Sequence, residues 1–271
     1  MSAPMSADTR LAPVRLQVAD GVATITLDRP EAMNAVTTAL AAALEQALRA
    51  AGDDPDVRVV LVRGAGGNFC AGGDFEEVQR LRADGPEALR TLFTSFGAAC
   101  AAVGEIAQPV VAAVEGVAMA GGFELMQACD VVLVRHDARI SDNHVNFGMV
   151  PGGGGSQRLP RIAGRQRALG LLLSGDRITG VDAVEWGLAY RSYAADGFDA
   201  DVDAFVARLA GRRTDAVRTI KRLVRDGLAA DLEAGLDLEL DAVVTHIAGE
   251  AGGASVSSFA GRKQESEKEE S

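Results

Sequence analysis

Cysteine is scarce in this chain. Cys70, Cys100 and Cys129 stand about thirty residues apart, form no CxxC pair, and have only His136, His144 and His246 to join them. That spacing excludes a zinc-ligand set and a disulfide framework, so no metal is expected; free thiols fit a reducing cytoplasm. Long apolar runs are missing too. No stretch of about 18 or more uncharged apolar residues exists, so a membrane span is not expected. Met1 to Thr9 also lacks the apolar core of a signal peptide. Positive charge is in the minority, with Lys+Arg at 27 against Asp+Glu at 38 and a net charge of −11. That sign disfavours nucleic acid and anionic membranes as partners, while leaving room for a phosphate-bearing ligand held by local arginines or lysines. Aromatic residues make up 4% of the chain, which limits recognition by ring stacking.

What the chain has in quantity is alanine, valine, leucine and glycine. They carry a hydrophobic fraction of 48% over 271 residues, enough for one large domain or a domain with an appendage. Residues 1–12 are rich in Ala, Ser and Pro and read as disordered. Two alternating runs, Val14 to Ala19 and Val22 to Leu27, flank Asp20-Gly21 and predict a hairpin. Asn34 to Ala51 reads as a helix, and Val57 to Val62 as a buried strand. Helices are expected over 74–83 and 86–104, a strand over 110–114, a helix over 123–129, and strands over 131–134 and 138–140. From Gln157 the pattern is mostly helical. The chain divides into an α/β core over 13–199, a helical region over 200–263 and an acidic tail over 264–271.

Two loops carry the chemistry. Asn68-Phe-Cys-Ala-Gly-Gly-Asp-Phe75 follows one expected strand and opens a helix, and Val117-Ala-Met-Ala-Gly-Gly-Phe-Glu-Leu125 repeats the arrangement. Unpaired N–H groups and the helix dipole favour negative charge at such a turn, and glycine lets a ligand approach the backbone. Either loop alone reads more simply as a tight strand-to-helix connection, since glycine-rich turns of that kind are common. Neither fits GxxxxGK[ST] or GxGxxG, so a nucleotide-phosphate cradle is not expected.

Together with flanking segments, the loops resemble the enoyl-CoA hydratase/isomerase (crotonase) superfamily. The resemblance runs from about Val14 to Lys263 through Leu27-Asp-Arg-Pro-Glu-Ala-Met-Asn-Ala35, Phe69-Cys-Ala-Gly-Gly-Asp74, Pro109-Val-Val-Ala-Ala-Val-Glu-Gly116, Ala120-Gly-Gly-Phe-Glu-Leu125, Ala128-Cys-Asp130 and Phe147-Gly-Met-Val-Pro-Gly-Gly-Gly-Gly-Ser-Gln-Arg-Leu159. It implies an α/β fold, a spiral of ββα units with a C-terminal helical layer, assembled as homotrimers often paired into hexamers through the 200–263 region. It implies an acyl-coenzyme A thioester as substrate, with no cofactor beyond the coenzyme A that the substrate carries.

By the family pattern, the backbone N–H groups of Gly73 and Gly121 form an oxyanion hole for the thioester oxygen. Glu124 matches the first of two glutamates used by family hydratases. A carboxylate in a first helical turn serves the dipole by default; the resemblance gives it the further role of holding water and taking its proton. The second glutamate is missing, and the alignment places His144 there, with Asp142 two residues away should the register shift. Imidazole titrates near neutrality, so His144 is either a proton donor to Cα or a polar residue in a site that no longer hydrates. Backbone around Ala71, Asp74 and Ala32 to Asn34 is implied to touch coenzyme A, Gly152 and Gly153 to line the acyl pocket, and Arg29 to approach the phosphates. Hydration of a 2-enoyl-CoA is the first expectation. Double-bond isomerisation and hydrolysis of a thioester or C–C bond are the alternatives that His144 keeps open, and a non-catalytic acyl-CoA-binding scaffold is a further one.

Overall fold

A computed structural model describes residues 7–249 and Gly252. The chain begins with a meander, β1 (Ala7–Leu11), β2 (Val14–Ala19) and β3 (Val22–Leu27), followed by α1 (Thr38–Asp53). Then come β4 (Val59–Gly64), α2 (Phe75–Asp84), α3 (Pro86–Glu105), β5 (Val110–Val114), β6 (Val117–Met119) and α4 (Gly121–Ala128). β7 (Val131–Arg135), β8 (Arg139–Ser141), α5 (Gly155–Ser174), α6 (Gly180–Glu185), β9 (Arg191–Tyr193) and α7 (Phe198–Ala210) complete the first compact unit, which runs through Arg212. A second unit from Arg213 contains α8 (Thr214–Leu228) and α9 (Leu232–Ala248).

Seven strands form one sheet in the order β1-β2-β3-β4-β5-β7-β9, antiparallel through β3 and parallel beyond it. β6 and β8 pair separately as a parallel two-stranded sheet. β5 is buried at every position, as a parallel strand covered on both faces must be. One face is covered by α1 and α3. Thr37 caps α1 by accepting from Leu40 N, and the helix turns Leu40, Leu44, Ala47, Leu48 and Ala51 inward against Ala99, Ala102 and Val103 of α3. The small alanines let the two helices approach closely.

The opposite face is covered by α7. Phe198, Val202 and Val206 pack on Val59, Leu61, Val111, Ala113 and Leu133, each contributing about 1.5–3 kcal/mol by burial. The helical region therefore does not begin at residue 200: α7 belongs to the core, and the division falls after Arg212. Residues 7–11, expected to be disordered, form β1 against β2. The first helix starts at Thr38 rather than Asn34 because Pro30–Ala32 form a 3-10 turn and Met33 and Asn34 take φ of 48° and 59°. The acidic tail lies outside the described residues. Among those described, no helix is long and apolar enough to cross a membrane.

Candidate active site

The two glycine turns meet. Cys70 and Ala118 form a parallel bridge in which Cys70 N donates to Val117 O at 2.9 Å and Met119 N donates to Cys70 O at 3.0 Å. The approach is close enough to require glycine. A Cβ on Gly72 would lie 2.7 Å from Ala120 Cβ and 3.3 Å from Gly121 N, and one on Gly122 would lie 2.0 Å from Cys70 O. Gly121 is the first residue of α4, so its N–H has no acceptor within the helix. Ala120 before it is held at φ 47° and ψ −118°, a left-handed conformation that costs a residue with a Cβ about 1–3 kcal/mol.

Gly73 and Gly121 both border a cavity of about 580 Å³. Its walls are largely apolar, with Phe93 and Phe96 from α3, Phe75, Phe147 and Met119 among them. Its polar groups are few. Glu124, in the first turn of α4, is 2% exposed. Its Oε1 accepts from Gly153 N at 2.7 Å and from Gly155 N at 2.8 Å, the latter being the first amide of α5. Burial raises the Glu124 carboxyl above the usual carboxylate range, outweighing the Gly155 hydrogen bond, the nearby His144 and the Gly153 hydrogen bond, which favour the ionised form.

His144 lies on the same cavity, in a short turn following β8. Its Nδ1 is 2.7 Å from Oδ1 of Asp142, a carboxylate only 1% exposed. Burial acts to lower the imidazole pKa, but the hydrogen bond and charge of Asp142, with the charge of Glu124, prevail and raise it. Thiol chemistry has no place here, because burial pushes Cys70 and Cys100 up to about 12. Among the described residues no group of three or more His, Cys, Asp or Glu could hold a metal ion.

The chain has relatives. A family model described as enoyl-CoA hydratase/isomerase matches residues 17–269. The chain belongs to that family. It is 32% identical to a crotonyl-CoA hydratase of Syntrophomonas wolfei over 84% of this chain and 86% of the relative. It is 30% identical to a 1,2-epoxyphenylacetyl-CoA isomerase of Escherichia coli over 83% of this chain and 86% of the relative. The crystal structure of an enoyl-CoA hydratase from a Polaromonas species superimposes with a TM-score of 0.88 at 30% identity, covering 92% of this chain and 97% of that one.

Of the residues picked out by the enoyl-CoA hydratase/isomerase pattern, the structure brings Ala71, Gly73, Gly121, Glu124 and His144 to one cavity. Others do not line it. Asp74 caps α2 through Glu77 N and binds Arg29 at 2.8 Å. The Arg29 guanidinium donates to Asp74 Oδ2 and to Ala35 O. Asn34 is fully buried, with its side chain spent on Arg29 N, Ala65 O and Asn68 O; Met33, between Ala32 and Asn34, is the residue that reaches the wall. Gly152 and Gly153 are packed against the phenylalanines of the wall: a Cβ on Gly152 would lie 2.6 Å from Phe93 and one on Gly153 2.3 Å from Phe96. Sequence reasoning missed the two phenylalanines, whose spacing of three residues on a helix was the available sign. It also missed Arg139 and Arg177 on the wall, and the pairing of Asp142 with His144.

Proposed function

We propose that the protein binds an acyl-coenzyme A thioester and adds water across a 2-enoyl group, with no cofactor beyond the coenzyme A of its substrate. The observation that carries this reading is the shared cavity: two glycine turns locked together, a buried carboxylate and an imidazole open onto one apolar space. The thioester oxygen accepts from Gly73 N–H and Gly121 N–H, where negative charge develops; losing one such donor costs about 3–4 kcal/mol in barrier height. Glu124, its Oε1 held by two amides, uses Oε2 to position water and take one proton as oxygen bonds to Cβ. His144, charged, gives its Nε2 proton to Cα. Water's hydroxyl ends on Cβ and the imidazolium proton on Cα. The proton taken by Glu124 then restores His144. The apolar walls support an apolar acyl group.

The test is hydration by purified protein of a series of 2-enoyl-CoA esters, followed as loss of the conjugated chromophore. Turnover that disappears in Glu124→Gln supports the reading; absence of hydration across the whole series overturns it.

A second reading is favoured by the Asp142–His144 pair, an arrangement suited to a general base. Water activated by His144 would attack the thioester carbonyl itself. Release of free coenzyme A thiol, with no 3-hydroxyacyl product, distinguishes hydrolysis from hydration. Double-bond isomerisation gives neither product, only a shifted chromophore.

The second unit leaves Ile220, Val224, Leu228, Leu232, Leu236 and Leu240 exposed. An apolar surface of that extent supports self-association, for which a trimer or a dimer of trimers is the proposed form.

A further inference from the structure

The buried carboxylate bonded to His144 has no part in the hydration proposed above. Asp142 directly follows β8, is 1% exposed, and keeps one oxygen 2.7 Å from His144 Nδ1. Its other oxygen, Oδ2, is buried without a hydrogen-bond partner. It lies against Gly155, where a Cβ would come within 2.9 Å of it and 3.2 Å of Glu124 Oε1. Gly155 thus serves both carboxylates, giving its amide to Glu124 and its empty side-chain space to Asp142. A buried carboxylate with an unsatisfied oxygen weakens a fold. Structure alone does not ask for a charge here, because an amide would fill the same volume.

We infer that Asp142 is a positioning residue: it accepts the Nδ1–H of His144, fixes the imidazole tautomer and aims Nε2 into the cavity. A ring held at Nδ1 has only Nε2, on its opposite edge, to offer a substrate. The charged groups that act on His144 are Asp142 on its own segment and Glu124 on α4, and the same cavity wall carries Arg139 and Arg177. The Asp142 carboxylate, 2.7 Å from Nδ1, and the charge of Glu124 therefore both favour the imidazole's charged form, in which Nε2 carries a proton to give. After that proton leaves, the neutral ring keeps its remaining proton on Nδ1, the atom that Asp142 holds.

The inference rests on the hydration reading for what His144 does, but not for how it is held, so two measurements separate them. Nitrogen NMR of histidine-labelled full-length protein reads the tautomer and titration of His144, assigned by its loss in His144→Gln. The neutral ring is expected to carry its proton on Nδ1 and to titrate above an ordinary histidine. Asp142→Asn is expected to move that titration to lower pH. In hydration assays the same variant is expected to lose about 10²-fold or more in kcat, with KM within about twofold and the alkaline limb of the kcat profile displaced to lower pH. A neutral His144 protonated on Nε2 in the unmutated protein overturns the inference, and needs no variant to fold. So does an Asp142→Asn protein whose alkaline limb and His144 titration both stay in place. If the unmutated protein hydrates nothing while its His144 shows the Nδ1–H tautomer and the raised titration, the hydration reading fails and the positioning role stands.

Discussion

Glu124 Oε1 accepts the amide of Gly155 at 2.8 Å, so the carboxylate in the first turn of α4 is gripped by the first N–H of α5. Gly153 N adds a second bond to the same oxygen at 2.7 Å. Two helix starts thus converge on one side chain, and each favours negative charge there. The grip fixes one oxygen and leaves the other for water. Burial nevertheless prevails, and Glu124 holds its proton more tightly than a solvated carboxylate does.

Glu124→Gln is accordingly expected to separate activity from stability. Glutamine keeps an Oε1 to accept both amides but cannot take a proton, so kcat should fall about 10²- to 10⁴-fold. A carboxyl whose folded pKa is raised binds its proton better in the native state. Its stabilising effect is lost as pH rises through the interval between its unfolded and folded values. Above that interval the ionised group weakens the fold, and the neutral amide removes the cost. The gain should be on the order of 1 kcal/mol, or about 2–4 °C in Tm at pH 8. Calorimetry on both proteins checks it, and a lower Tm for the variant contradicts the burial account.

The rate should follow a bell in pH. Its acid limb reports Glu124, displaced above the usual carboxylate range, and its alkaline limb reports His144, displaced above the usual histidine value. His144→Gln should remove the alkaline limb and lower kcat by about 10²-fold. The stability that His144 contributes is full below its unfolded value, near 6.5, and is lost as pH rises through the folded value. The difference in unfolding free energy between the two proteins should shrink over that rise. Chemical denaturation at several pH values measures it.

Much of this site was legible in the sequence, because its parts are local: a glycine turn and a first-turn glutamate occupy a few adjacent residues each. The strand alternation of β2 and β3 was legible for the same reason. What the sequence hid were relations across distance. Gly155 and Glu124 are 31 residues apart, and no local rule pairs an amide with a carboxylate over that span. Asp142 and His144 sit two residues apart, yet their bond depends on the turn after β8, which a pattern of polar residues does not specify. Asn34 and Asp74 lay in segments matching the family, but their side chains are spent on the protein itself. α7 looked like part of the helical end because its amphipathic pattern does not reveal which sheet face receives it.

Charge placed on the apolar face of the second unit should dissolve any assembly built on it. Leu236 and Leu240 are 56% and 60% exposed, so Leu236→Glu with Leu240→Glu should leave the chain folded while lowering the mass seen in sedimentation. Unchanged circular dichroism with a smaller particle is the expected result. An unchanged particle places the assembly surface elsewhere.

Gly153→Ala should damage both packing and chemistry. The new methyl group would lie 2.3 Å from Phe96 Cε1 and 2.8 Å from Glu124 Oε2. Overpacking of this kind costs about 1–3 kcal/mol, and displacement of the proposed catalytic oxygen should lower kcat. Adding Phe96→Leu should return part of the stability by vacating the ring edge. Unfolding of the single and double variants in urea measures the coupling.

Ala120 offers the opposite trade. It precedes the amide of Gly121 in a backbone conformation, φ 47° and ψ −118°, that glycine adopts freely and alanine does not. Ala120→Gly relieves about 1–3 kcal/mol of strain and adds about 0.5–1 kcal/mol of unfolded-state entropy, so the fold should gain on the order of 1 kcal/mol. The same freedom loosens the direction of the Gly121 N–H, which in the proposed reaction must point at the thioester oxygen. Activity should therefore fall severalfold as stability rises, with the loss in kcat rather than KM, because the amide matters most where charge develops. Urea titration and steady-state kinetics on one preparation test both halves. If glycine proves as fast as alanine, the strain at residue 120 has no catalytic use; if glycine is less stable, the conformation is held by contacts of the Ala120 methyl group.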